Sequence, residues 1–303
     1  MGETGKRIIS GVLMAVIFIA SFNINVYAGL PLLLIMLLLN PIALTEFYTL
    51  TKKDENHAAF KMTGFILGWI LILLTYFHNL KDYLARDGQA PPKFLQLFEL
   101  GYSSVFAVFF IGLVVLFSRQ LTKKSFEGTV YSASITLTGV IYTSLIMCHL
   151  MLLQQLEGGV FYIWMIGVAT TMSDTMAYAA GKTLGKNKIG MPISPNKTYE
   201  GYLYGFVGQI IITMIFYYSV SAFYQVPHLS FLALLVFCII MYVASVLGDL
   251  SESLIKRNYG HKDSGNFIPG HGGALDVIDA LIFTLPLGYY YLILLNHLSK
   301  IYA

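Results

Sequence analysis

A chain of 303 residues with 56% apolar and only 12% charged positions cannot coat a water-soluble globule, because soluble domains carry roughly 25% charged residues. A mean hydropathy of +0.69 also excludes disorder, which needs low hydrophobicity and high charge. The net charge of +3, from 19 basic and 16 acidic residues, is too balanced to favour nucleic acid as a partner, and an all-α polytopic membrane protein remains.

A membrane-spanning helix needs about 20 mainly apolar residues. Runs of that kind fall near 8–23, 26–49, 61–78, 99–118, 130–153, 160–180, 202–223, 229–248 and 276–298, which predicts nine spans. Lys6-Arg7 ahead of the first run resembles the start of a secretory signal. No small-residue cleavage site precedes the next run, so it reads as an uncleaved span. Pro31, Pro41 and Pro286 fall inside predicted spans, where membrane helices tolerate kinks. Cys148 and Cys238 both lie in apolar runs, which argues against a disulfide framework or a thiolate zinc site. No repeat of 20–50 residues is evident.

With nine spans, loops on the N-terminal side hold 15 of the 19 Lys and Arg residues. The positive-inside rule then makes the N-terminus cytoplasmic. It also places two long polar loops, 181–201 and 249–275, together on the cytoplasmic face. The expected organisation is a set of N-terminal transmembrane helices over 1–125 and a transmembrane catalytic region over 126–303.

Those two loops and their flanking helix ends carry the unusual residues. Asp174 and Asp279 fall within predicted spans, with Asp249 and Asp276 at helix edges. Ionisable groups at such depth are costly and tend to face a polar cavity. Four carboxylates without a matching His or Cys set favour a hard cation such as Mg²⁺ over zinc. Nearby Lys and Arg residues suit phosphate, which Arg can bind through two parallel hydrogen bonds. The run Pro269-Gly270-His271-Gly272-Gly273 lets backbone approach a ligand closely. Metal, cations and a glycine-rich turn are the equipment of phosphoryl or nucleotidyl transfer, where catalysis is mostly positioning and charge neutralisation.

Each feature has a plainer reading. Asp276 and Asp279, three apart, share a helix face as ligands would, but Asp276 could equally cap a helix. Lys256-Arg257 could be an ordinary basic flank, and the glycine run a simple turn. Glu46, late in the second span, could face the polar cavity or lie at the interface. Gly181-Lys182-Thr183 spells the end of a phosphate-binding P-loop, yet Met176 stands where that motif needs glycine and a helix precedes it instead of a strand. Asn196-Lys197-Thr198 is a glycosylation sequon in spelling only, because its loop is expected to be cytoplasmic.

The polar blocks occur in a specific order. Ser253, Lys256, Arg257, Lys262, Asp263, Pro269 to Gly273, Asp276 and Asp279 follow one another. They are preceded by Asp174-Thr175-Met176-Ala177-Tyr178 and by Ser194-Pro195-Asn196-Lys197-Thr198-Tyr199-Glu200-Gly201. This pattern, over roughly 160–285, resembles the CDP-diacylglycerol synthases, or phosphatidate cytidylyltransferases. Farther upstream the resemblance is mainly hydropathy plus Glu46-Phe47-Tyr48.

The resemblance implies that phosphatidate and CTP give CDP-diacylglycerol and pyrophosphate. It implies Asp174, Asp249, Asp276 and Asp279 as ligands of Mg²⁺, with or without a second cation. Lys197, Lys256, Arg257, Lys262, Asp263 and His271 would be the catalytic groups. Ser194, Asn196, Thr198, Ser253, Gly270, Gly272 and Gly273 would bind substrate. The expected setting is the plasma membrane, with the active site facing the cytoplasm and membrane lipid as neighbour; a homodimer is compatible with the family. One departure matters: Val277 stands where the family has Arg, and Ala280 where it usually has Ser. Loss of an Arg that pairs with phosphate or carboxylate would cost roughly 2–5 kcal/mol. Two alternatives follow: a CTP-dependent lipid kinase, and a catalytically weakened paralogue that binds lipid or nucleotide. A transporter is disfavoured, because no paired inverted repeats of interrupted helices are evident.

Overall fold

The computed structural model describes residues 16–98, 102–123, 125–223, 226, 228–265 and 272–302. Among them every regular element is helical. After a helical stretch at 16–23, the chain forms α1 (Leu30–Leu50), α2 (Lys61–Arg86), α3 (Tyr102–Leu121) and α4 (Thr129–Gln154). It continues through α5 (Gly159–Thr183), α6 (Tyr199–Phe223), α7 (Phe231–Asn258), the one-turn α8 (Ala274–Ile278) and α9 (Leu281–Tyr302).

Among the described residues, seven stretches are long and apolar enough to cross a membrane: α1, α2, most of α3, α4, α6, α7, and Ala274–Leu298, which joins α8 to α9. These seven coincide with predicted spans, and the protein is a multi-pass membrane protein. The stretch predicted at 160–180 also forms a helix, α5. It is not one of the seven, and its C-terminal half carries the polar run Thr170-Thr171-Met172-Ser173-Asp174-Thr175. Most of the first predicted span, 8–23, lies outside the described residues.

One boundary is corrected. The loop expected to open at residue 249 opens only after Asn258, because α7 runs ten residues past its predicted end. Asp249, Glu252, Lys256 and Arg257 are therefore helical, and their relative positions follow α-helical spacing. The sequence 249–258 carries no Gly or Pro to stop the helix. Its polarity ends the apolar run without ending the helix.

Contacts divide the chain into two compact units. The first lies within Met1–Gln155 and Tyr259–Val277, the second within Leu156–Asn258 and Ile278–Ala303. In lipid, helices are not driven together by the hydrophobic effect; close packing and interhelical hydrogen bonds do that work. The first unit uses both. Pro41 has no N–H to give to the Leu37 carbonyl four residues back, and the Trp69 indole of α2 donates to that oxygen at 3.1 Å. Buried Asn40 donates to Ser144 Oγ at 2.7 Å, at a π-type turn, Val140–Leu145, within α4. Tyr48, fully buried, donates to the Thr136 carbonyl at 2.8 Å.

In the second unit, α5 and α6 meet along a strip of small residues. A Cβ added to Gly205 would lie 2.9 Å from that of Ala177, and one on Gly201 would lie 2.9 Å from the Ala177 carbonyl. Glycine is required there because the backbones leave no room for a side chain. Met165, Ile166 and Ala169 of α5 and Leu234, Phe237 and Met241 of α7 are buried in the same unit. Two hydrogen bonds fasten it further: Thr170 to Thr284 at 3.2 Å and Tyr291 Oη to the Ala233 carbonyl at 2.7 Å.

Candidate functional site

The second unit contains a cavity of about 470 Å³ between the C-terminal half of α5, the start of α6 and the middle of α7. Tight packing of α5 on α6 fixes the cavity's first wall, which carries Ser173, Asp174 and Lys182. The loop before α6 supplies Asn196, Lys197 and Thr198, and α7 supplies Asp249.

Local chemistry holds that loop in place. Ile189 donates to the Lys197 carbonyl at 3.0 Å, and Tyr199 donates to the Asn187 carbonyl at 3.1 Å. Thr198 accepts the Gly201 N–H at 3.1 Å, which makes it the N-cap of α6. Glu200 accepts the side-chain amide of Asn187 at 2.7 Å. Lys197 is thus presented on a clamped segment, and its ammonium forms an ion pair with Asp249. Its Nζ also lies 5.4 Å from the centre of the Tyr202 ring. Burial alone would disfavour the ammonium; hydrogen bonding and charge attraction from Asp249 outweigh it and lift the Lys197 pKa above the ordinary lysine value.

Charges from Asp249, Asp279 and Lys197 all act on the Asp174 carboxyl. Gly248 explains how Asp249 and Asp279 become neighbours in this unit. A Cβ at residue 248 would lie 2.5 Å from the Asp279 carbonyl, so α7 passes directly against the start of α9. Ala280, buried at that contact, has only a methyl group where the family usually has Ser. Asp174, Asp249 and Asp279 offer carboxylate oxygens to a cation, and Lys197 offers an ammonium to a phosphate-bearing ligand. Among the described residues, no three His, Cys, Asp or Glu side chains form a ready-made metal cluster.

Other predicted site residues fall elsewhere. Ser194 is half-buried in the loop before α6, where its carbonyl accepts the Lys197 N–H at 3.3 Å. Lys256 pairs with Glu252 one turn earlier on α7, and Glu252 is only 1% exposed. Ser253 is half-buried and Arg257 exposed on the same last turns. In the first unit, Lys262 and Asp263 are exposed, and Gly272 has a positive φ of 92°. Gly270 and His271 lie outside the described residues.

Asp276 belongs to a different kind of arrangement. Its Oδ2 accepts hydrogen bonds from Ser264 N, Ser264 Oγ and Gly273 N, each at 2.8 Å. Gly273 precedes α8 and Asp276 is its third residue, so this is the backward half of a capping box. Spacing left Asp276 between ligand and cap; its Oδ2 makes the hydrogen bonds of a cap. Glu46 joins it: its oxygens accept the Ala274 N–H at 2.9 Å and the Leu275 N–H at 3.0 Å. Sequence reasoning left Glu46 open and missed Glu252. The (i, i+4) spacing of Glu252 and Lys256 would have revealed the latter pair, had α7 been taken to continue.

Comparison with known proteins agrees with the ordered polar blocks. A family model described as the cytidylyltransferase family matches residues 5–295. The phosphatidate cytidylyltransferase of Bacillus subtilis (strain 168) is 31% identical over 297 residues, covering 98% of this chain and 100% of that protein. That of Staphylococcus saprophyticus is 34% identical over 189 residues, covering 62% of this chain and 68% of that protein. That of Thermotoga maritima is 40% identical over 121 residues, covering 40% of this chain and 45% of that protein.

Proposed function

Because the chain belongs to the cytidylyltransferase family, we propose that it joins phosphatidate to CTP, forming CDP-diacylglycerol and releasing pyrophosphate. The observation that carries this reading is the Asp174–Asp249–Lys197 cavity, acidic and basic at once within an apolar helical unit. A phosphatidate oxygen attacks the α-phosphorus of CTP, a new P–O bond forms, and the bond to the β-phosphate breaks. Phosphatidate is already ionised near neutral pH, so the attack needs no general base. The difficulty is electrostatic: two anions must meet while a third leaves.

Asp174, Asp249 and Asp279 fit a hard divalent cation in donor chemistry, since all three offer carboxylate oxygens. When bound, Mg²⁺ would screen the phosphates from one another and stabilise the departing pyrophosphate. Lys197 is the chain's own contribution at that point. Its ammonium neutralises Asp249 in the ligand-free arrangement. In the loaded enzyme Asp249 would offer its carboxylate oxygens to the cation and Lys197 its ammonium to a phosphate. Lys182, on the same wall, adds a second ammonium, and Asn196 adds an amide for hydrogen bonding. Asp276 keeps its capping role.

The basic bias of the loops supports an active face in the cytoplasm, where CTP is available, and bacterial relatives support the plasma membrane as its setting. Phosphatidate would enter from the same leaflet, and the product would remain in the bilayer.

The deciding experiment is turnover by detergent-purified protein with phosphatidate, labelled CTP and Mg²⁺. Lipid-linked cytidine should appear in equal amount to pyrophosphate and vanish with EDTA. CDP formed in place of pyrophosphate would instead identify a lipid kinase. Val277 is the position where decay of activity would show. Its side chain is 50% exposed, and Val277→Arg is expected to change kcat/KM by less than about threefold, the scale of a surface substitution. A gain of roughly a hundredfold or more, equivalent to a restored charge pair, would identify this chain as a weakened paralogue.

A further inference from the structure

We propose that Tyr178 and Lys182 form the outer end of the cavity in the second unit and dock the phosphate of the lipid substrate there; this rests on the transferase reading above. Asp174, Tyr178 and Lys182 line that cavity and recur every four residues on α5. Residues at this spacing stack on one helix face, so α5 presents a carboxylate, a phenol ring and an ammonium in one row about 12 Å long. Lys182 Nζ lies 5.9 Å from the centre of the Tyr178 ring. The ammonium therefore turns back along the row, in the direction that helical side chains lean.

The two ends of the row differ in charge. At the inner end, Asp174 feels the charges of Asp249, Asp279 and Lys197, and Lys197 is already paired with Asp249. At the outer end, Lys182 is exposed and has no carboxylate partner among the described residues. Gly181 explains how both lysines come to share one cavity. A Cβ added there would lie 3.3 Å from Thr198 Oγ1, so the last turn of α5 packs against the segment that carries Lys197.

The surroundings of the outer end select a lipid. Tyr178 is 71% exposed, and Tyr199 and Tyr204, on the first turns of α6, are 62% and 45% exposed. Gly201 on those turns packs against Ala177 and Gly181, so all three rings belong to the same end of the helix pair. Exposed tyrosines gathered at one end of membrane helices mark the level of the lipid headgroups, which lysine also reaches with its apolar stem in the bilayer. A ligand with its phosphate at that level and its hydrocarbon alongside is a phospholipid. One that ends in a phosphate monoester offers Lys182 the strongest charge-assisted hydrogen bonds.

A lysine that merely flanked a helix end would supply general attraction to an anionic surface, shared with its neighbours. Lys186 is the comparison: it is exposed, four residues farther on, and does not line the cavity. The test uses full-length protein in mixed micelles of detergent and phosphatidate, with Lys182→Met, Lys182→Arg and Lys186→Met. Lys182→Met should raise KM for phosphatidate roughly three- to tenfold, the low end for a charge-assisted hydrogen bond because Lys182 stays partly in water. KM for CTP should stay within about twofold, since the inner lysine is untouched. Lys182→Arg, which also binds phosphate, should recover most of the loss, and Lys186→Met should change neither constant. Labelled phosphatidate, bound without CTP, should be weakened by Lys182→Met to the same degree. It should resist competition by glycerol 3-phosphate, which has the phosphate without the hydrocarbon.

An unchanged KM for phosphatidate in Lys182→Met would overturn the proposal, as would an equal effect of Lys186→Met or an equal rise in KM for CTP. Effective competition by glycerol 3-phosphate would also overturn it, by identifying a site for soluble phosphate esters. Wild-type protein that binds phosphatidate through Lys182 yet makes no lipid-linked cytidine would instead sink the transferase reading, leaving the lipid site intact.

Discussion

Replacing Asp249 with Asn is expected to lower cytidylyl transfer by roughly a hundred- to a thousandfold, the scale measured when a group that stabilises developing charge is removed. Two effects combine in that number. The cavity loses one of the carboxylates proposed to hold the cation, and Lys197 loses the partner that justifies its burial. The second effect alone would lower stability, because removing one member of a pair strands the other charge. Lys197→Met combined with Asp249→Asn separates them. The double variant should regain the thermal midpoint lost by Asp249→Asn and regain none of the activity. Retention of about a tenth of wild-type turnover with an unchanged Mg²⁺ requirement would remove Asp249 from the site.

The same pair carries a pH signature of definite sign. Lys197 has its folded pKa raised above the unfolded value. Its contribution to stability is therefore complete below the ordinary lysine pKa and is lost as pH rises through the elevated one. Thermal midpoints of wild type and Lys197→Met should differ by a constant amount from neutral pH to about pH 9, and converge only at higher pH.

Gly205→Leu is expected to abolish the cavity by separating its walls. The α5 and α6 backbones approach at Ala177 and Gly205 with no space for a side chain, and the atoms in the way belong to the backbone and a methyl group. Overpacking typically costs ~1–3 kcal/mol where neighbours can shift. Here they cannot shift without moving the Asp174 wall away from Lys197. The variant should show a lower thermal midpoint and lose CTP binding in the same step. Gly167→Ala is the control: it lies on α5, the helix that Gly205 packs against, and no atom comes within 4 Å of its added methyl group. It should leave both properties unchanged. A Gly205→Leu protein that binds CTP normally would show that the helix contact does not shape the site.

Much of this protein was legible from residue order alone. Apolar run length predicted the spans now seen as α1 to α4, α6, α7 and α9, because the bilayer thickness and the rise of a helix are fixed quantities. Asp174 and Asp249 were recognisable because a carboxylate in an apolar run is too costly to be there without a task. The pairing of Asp249 with Lys197 was not, since the two are 52 positions apart and no local period links them. The extension of α7 was hidden for a different reason: hydropathy marks where the lipid ends, whereas the helix continues until a residue stops it.

The glycines and Asp276 illustrate the remaining division. Their presence in an ordered signature identified the family, but spacing could not distinguish a ligand from a cap. Only the folded chain brings Glu46 to Gly265, Gly273 and the first amides of α8. Sequence by itself determined the solvent, the helical class, the family and the carboxylates of the ordered motifs, because each depends on local composition or residue order. Tertiary structure decided which charge meets which: Asp249 meets Lys197, while Asp276 and Glu46 accept backbone N–H groups. That choice depends on contacts between residues distant in the chain, and no local pattern encodes them.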